Sequence, residues 1–170
     1  MSVFARKALA CSCLPVWLFL AIAGAPASAA GPAGDRSADK AEVKKVIEAS
    51  IGWALDKDLP LLFSSMAQDS AFFIFHPDSA STIEGFDAFR RYAERVFMND
   101  AFRATGFEIK DLGVTFSESG TVAWFHAYLD DHGEWKGQPV SWINARWTGV
   151  LEKRQGKWVI VQMHFSFPEK

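Results

Sequence analysis

The end of the chain constrains the fold most. Val140–Leu151 and Trp158–Phe167 are two runs rich in β-branched and aromatic residues, and Arg154-Gln155-Gly156 between them is polar and ends in glycine. That pattern predicts an antiparallel hairpin. A three-residue loop with Gly156 in the left-handed position places Ala145, Trp147, Gly149 and Leu151 beside Phe165, Met163, Val161 and Val159, a wholly apolar face. The other face then carries Asn144, Arg146 and Thr148 beside Ser166, His164 and Gln162. A two-residue loop slips the register by one and mixes the two faces, so the three-residue loop is expected. A sheet with one such apolar face must be covered.

The N-terminus is of a different kind. Arg6 and Lys7 precede the apolar run Leu14–Ala23, and Ala27-Ser28-Ala29 has the small-residue spacing of a signal-peptidase site. Residues 1–29 therefore read as a cleavable export signal. An uncleaved anchor is the alternative, but Pro15 and Gly24 bound a run too short for a comfortable span. The expected product is periplasmic or secreted, with no stable membrane insertion after cleavage. Cys11 and Cys13 both leave with the leader, so no disulfide is available to the remaining 141 residues. Loss of Arg6 and Lys7 leaves 16 basic against 20 acidic residues, a net charge of −4, which argues against a nucleic-acid partner. Residues 30–38 read as a short linker and 39–170 as one domain, with an aromatic content of 14% to fill its core.

In chain order, Val43, Val46, Ile47, Ser50 and Ala54 recur at helical spacing and predict a helix over 38–57. Asp58 caps a second, shorter helix with Pro60 in its first turn and Leu61, Leu62, Phe63 and Met66 as its apolar surface. Ala71–His76 is a short strand, and Ser81–Ile83 returns beside it. A third helix over Phe86–Phe97 follows. Strands are predicted at Phe107–Phe116 and Val122–Leu129, with a loop at Asp130–Glu134 before the closing hairpin. The order is two helices, two short strands, a helix and four long strands. That predicts an α+β fold in which three helices cover one face of a curled antiparallel sheet.

These segments resemble the nuclear transport factor 2-like (NTF2-like) superfamily, in particular its SnoaL-like branch. The resemblance is carried by Arg146-Trp-Thr148 and by Gly156-Lys-Trp158 running on to Ser166. Phe75-His-Pro-Asp78, Thr82-Ile-Glu-Gly85 and Tyr128-Leu-Asp130 also make the chain similar to the association, or hub, domain of calmodulin-dependent kinases. The resemblance spans Asp39–Phe167. It implies a cone: three helices and a strongly bent sheet around a pocket, with the outer sheet surface available for a dimer. In the hub domain three arginines line the pocket, and Trp124, Gly149 and Phe165 occupy the matching positions here. The resemblance therefore implies a more aromatic and more neutral pocket. It does not by itself fix an activity, because this scaffold serves isomerases, hydrolases, cyclases and binders alike.

Alternation puts Trp124, His126 and Tyr128 on one side of their strand, and the hub resemblance turns that side inward. An imidazole can move a proton near neutral pH, a phenol can donate to an oxyanion and an indole can stack on a ring, so His126 and Tyr128 are the catalytic candidates. The alternative is that all three are core residues with satisfied polar tips. His76 and Asp78 flank Pro77 at the expected pocket rim, either as an oriented base or as a local turn. Trp147 and Phe165 complete the expected pocket lining. Ketosteroid isomerase, a relative by this resemblance, uses an inward carboxylate base with tyrosine and protonated-acid donors. No such acid pair stands out here, and Tyr92 is the other tyrosine of the chain. Arg146, His164 and Gln162 on the mixed face read as a subunit interface or a solvated network, with Arg146 opposite His164; bending into a site is the alternative. The four histidines form no i, i+4 pair and have no cysteine nearby, so no metal or cofactor is expected. Three functions stay open: a pocket for a small, mainly apolar ligand, an isomerase- or hydrolase-like enzyme, and a homodimeric interaction module.

Overall fold

The computed structural model describes residues 35–78 and 82–168. The expected leader and Ser81, the expected start of the return strand, lie outside them. The helical layer comprises α1 (Ser37–Gly52), α2 (Leu59–Ser64) and α3 (Phe86–Tyr92). The sheet comprises β1 (Phe73–Phe75), β2 (Ile83–Glu84), β3 (Phe102–Phe116), β4 (Val122–Trp135), β5 (Gln138–Arg154) and β6 (Lys157–Ser166). Val43, Ile47 and Ser50 form the buried stripe of α1. The Asp58 carboxylate accepts the Leu61 N–H at 2.9 Å, an N-cap ahead of Pro60.

Both ends of the first helix differ from the sequence reading. It begins at Ser37, inside the expected linker, because the Asp35 carboxylate accepts the Ser37 N–H and Arg36 donates to the carbonyls of Ser117 and Glu118 across the fold. It stops at Gly52, where an added Cβ would lie 3.2 Å from the Phe107 ring, and a 3₁₀ turn, Trp53–Leu55, swings the Trp53 ring onto Phe97. The third helix is α-helical only to Tyr92 and continues as a π-helical turn, Ala93–Phe97. The wider turn brings Tyr92 and Phe97, five residues apart, into ring contact at 5.4 Å.

The sheet runs β2-β1-β6-β5-β4-β3. From β3 to β6 it is an antiparallel meander, but β1 pairs parallel with β6, so the sheet is mixed. The cause lies just after α2. Ala67 donates to the Ile160 carbonyl and Ile160 to the Ser65 carbonyl, at 2.8 and 2.9 Å, which sets the chain running alongside β6 in the same direction before β1 begins.

The closing hairpin turns on two residues, Gln155 and Gly156, both left-handed with φ of 51° and 81°, and Arg154 pairs with Lys157. This is a type I′ connection. The faces stay sorted because a bulge at Val161 removes the slip: Val150 pairs with Gln162, but Leu151 pairs with Ile160. The inner face is Ala145, Trp147, Gly149 and Leu151 with Trp158, Ile160, Met163 and Phe165. Thr148 rather than Arg146 stands opposite His164, and Arg146 faces Ser166.

Two further bulges, at Asp111 and Asn144 with φ of 54° and 52°, flank the same stretch of β4 and bend the sheet. The Asp130 carboxylate fastens this bend, accepting the Asn144 N–H at 2.7 Å and Lys110 Nζ at 2.8 Å. Asp130–Glu134, expected as a loop, is therefore strand. Its outward charges are paired across the sheet, Lys110 to Asp130 and Arg103 to Glu134, while Leu129, Asp131 and Gly133 continue the inward parity.

A candidate ligand cavity

Between the helices and the bent end of the sheet lies a cavity of about 390 Å³. Its floor is the apolar core: Leu62, Met66, Ile74, Leu129 and Met163. Its upper wall is aromatic. Trp53 and Phe97 come from the 3₁₀ and π-helical turns, Phe89 and Tyr92 from α3, Phe102 from β3, Trp142 from β5 and Phe165 from β6. The Asn144 bulge matters here, since it resets the parity of β5 so that Trp142 as well as Ala145 points inward.

Five polar residues line this cavity. Ser50 is committed, its hydroxyl donating to the Ile47 carbonyl at 2.7 Å. Ser141 lies at the β5 edge. His76, directly after β1, is ringed by Tyr92, Trp142 and Phe165, with centroids 6.0, 5.9 and 5.8 Å away, all edge to face. Burial lowers the pKa of its imidazole, and the Asp78 charge offsets this in part. Burial raises the Tyr92 phenol, with Asp78 adding to the shift and Arg95 opposing it. Asp131 on β4 is largely buried, and burial raises its carboxyl above the usual range against a smaller opposing effect of His132. The Asp131 side chain makes no hydrogen bond or ion pair among the described residues. The site thus holds a base kept neutral and an acid pushed toward its neutral form within one apolar enclosure.

Of the residues expected in the pocket, His76 and Phe165 line it, and Asp78 acts on it through its charge. Trp147 is fully buried behind the wall, stacked on Phe165 at 5.6 Å and edge-on to Phe125 at 4.9 Å. Its Nε1 is a buried donor without a partner among the described residues. Trp124, His126 and Tyr128 must be corrected. They lie on the outer face of the sheet, with Trp124 and Tyr128 each 45% exposed, because the inward parity of β4 is Ala123, Phe125, Ala127 and Leu129. The His126 ring lies over Gly113 on that outer surface. Arg146, Gln162 and His164 share this face without a side-chain hydrogen bond among the described residues. Sequence reasoning missed Asp131 and Trp142. The signal for Asp131 was the unbroken alternation from Ala123 through Leu129, in which every inward position is apolar until the acid appears.

A helix-covered, bent sheet around a partly apolar cavity defines the cone-shaped class of nuclear transport factor 2-like proteins. Residues 43–170 match the SnoaL-like domain, and the chain belongs to that family. No curated protein matches it in sequence. Among solved structures it is similar to an NTF2-like protein of unknown function from Pseudomonas putida, with 21% identity over 79% of this chain and 89% of that one and a TM-score of 0.61. The association domain of the calmodulin-dependent kinase II of C. elegans superposes with a TM-score of 0.59 at 19% identity, over 78% of this chain and 98% of that one. A hexachlorocyclohexane dehydrochlorinase superposes at 0.65 with 16% identity, over 79% of this chain and 88% of that one.

Proposed function

We propose that the cone cavity binds a small, mainly apolar, ring-bearing ligand. The observation that carries this reading is the cavity of about 390 Å³, walled by aromatic rings, with His76, Tyr92 and Asp131 as its few convergent polar groups. The likeness to a dehydrochlorinase named for a chlorinated cyclohexane supports the choice of ligand class. The test is a panel of apolar ring compounds scored by thermal unfolding. A ligand present at a hundred times its Kd adds about 2.7 kcal/mol to stability. Filling the cavity with Ala54→Trp is expected to abolish the response while leaving the protein folded. A panel in which nothing shifts the unfolding temperature refutes the reading.

A catalytic version is favoured by one observation, the opposed shifts of His76 and Asp131 in a single cavity. Its base is His76, and its acid is Asp131 or Tyr92. His126 and Tyr128 take no part in it, since both lie on the outer face. Turnover that persists in His76→Gln refutes that assignment. Around the cavity we propose a homodimer through the outer sheet face, supported by the exposed Phe75, Trp124 and Tyr128 and by the likeness to an association domain. Export with cleavage before Ala30 is proposed from the sequence of the leader, and detection of intact Met1 in the exported protein refutes cleavage.

A further inference from the structure

Building on the cavity-binding reading, we infer that the cavity selects an apolar organic amine in its ammonium form over neutral or anionic compounds of the same shape. The argument starts from the charges that face the cavity. Among the described residues, Asp131 is the one carboxylate that lines the cavity, and neither lysine nor arginine lines it. The neighbouring Asp130 has its charge matched by Lys110 and by the Asn144 N–H. Asp131 has no such match among the described residues, and the nearby His132 is the only group shown to stabilise its ionised form.

The second step is its partner across the strands. Asp131 and Trp142 are paired positions of β4 and β5, and both line the cavity. A carboxylate beside an indole is a pair suited to an organic ammonium, which takes a charge-assisted hydrogen bond from one side and a cation–π contact from the other. Asp78 adds negative potential at His76 and Tyr92, and the one basic group among the described residues that acts on Tyr92 is Arg95, the weakest of the influences there. Burial also keeps the His76 ring neutral near pH 7, so it does not repel a cation. An anionic ligand is repelled by Asp131 in its ionised form. A neutral one leaves the acid to be desolvated without compensation.

The experiment uses three compounds with one apolar body: naphthylethylamine, naphthylethanol and naphthylpropionate. Each is titrated by calorimetry at neutral pH and low salt into the unmutated protein and into Asp131→Asn. Expected is an order of amine, then alcohol, then carboxylate, with about tenfold between the first two, as one partly desolvated charge pair supplies. In Asp131→Asn the amine is expected to lose that advantage while the alcohol binds as before. An alcohol or carboxylate that binds the unmutated protein as tightly as the amine overturns the inference and leaves the cavity reading standing. An amine preference that survives in Asp131→Asn also overturns it. Binding by none of the three overturns the inference together with the cavity reading. If the variant fails to fold, the order among the three compounds on the unmutated protein still decides.

Discussion

Asp131 sits where an acid is costly. Its carboxyl is held above the ordinary range by burial, so in the interval between the ordinary value near 3.8 and its raised value the folded protein binds the proton that the unfolded chain releases. Stability linked to this group is complete below pH 3.8 and is lost as pH rises through the raised pKa. Asp131→Asn removes that loss. The variant is expected to melt higher than the unmutated protein at pH 7 to 8, with the gap closing on acidification toward pH 4. A variant less stable at every pH contradicts this. His76 works in the other direction. Its pKa is lowered from 6.5 by burial, so below that value the unfolded chain takes up a proton first and stability falls with acid until the lowered value is passed. Together the two groups make the cavity a burden on both flanks of the pH scale, which is the usual balance at a site kept for chemistry or binding rather than for stability.

Among elements, the hairpins show which backbone features side-chain patterns can carry. The strands β5 and β6 were legible from their residue types, and the inward set of β5 followed from alternation. The loop length was not, because both turns leave Met163 and Phe165 inward and differ near the turn, where the bulged two-residue hairpin buries Trp158 and Ile160 in place of Val159 and Val161, and all four are apolar. The far half of β4 was hidden in a similar way: Asp130-Asp131-His132-Gly133-Glu134 has loop composition, and it is a strand through its pairing with β3 and β5, where Lys110 and Arg103 match its charges. The Gln155-Gly156 turn gives a prediction. Glutamine at φ 51° bears a strain that asparagine bears more readily, so Gln155→Asn is expected to raise stability by about 0.5 kcal/mol in chemical denaturation. A loss in that variant rules out the left-handed turn.

Two glycines of the sheet test the packing of its two faces. A Cβ on Gly149 would lie 2.5 Å from the Phe125 ring and 2.7 Å from the Gln162 carbonyl oxygen. Phe125 is buried and held by Trp147, so it cannot give way, and Gly149→Ala is expected to cost about 1–3 kcal/mol. A Cβ on Gly113 would come still closer, 2.3 Å from the His126 ring. His126 is exposed, however, and free to swing outward, so Gly113→Ala is expected to cost less than about 1 kcal/mol. Equal costs for the two substitutions contradict the assignment of inner and outer faces.

At the scale of the molecule, the question is why a sheet should spend its largest outward side chains on aromatics. Phe75, Trp124 and Tyr128 stand 49%, 45% and 45% exposed on the surface that carries His126, Arg146, Thr148, Gln162 and His164. Exposed rings gathered on one face, with polar groups that make no side-chain hydrogen bond among the described residues, match the surface of a subunit contact better than a solvated sheet. A two-fold contact repeats each residue on both sides, so Arg146 can meet Tyr128, Gln162 or a carbonyl of its twin without a carboxylate of its own. Sedimentation of the unmutated protein at micromolar concentration is expected to give a dimer. Tyr128→Glu or Arg146→Glu is expected to shift it to monomer by at least about tenfold in Kd, since either change puts an unpaired charge at the contact in both copies. Because both side chains are outside the core, the isolated monomer is expected to keep its stability within about 0.5 kcal/mol. A monomeric unmutated protein, or dimers undisturbed by both substitutions, returns this face to solvent and leaves its aromatic surface to be explained by another partner.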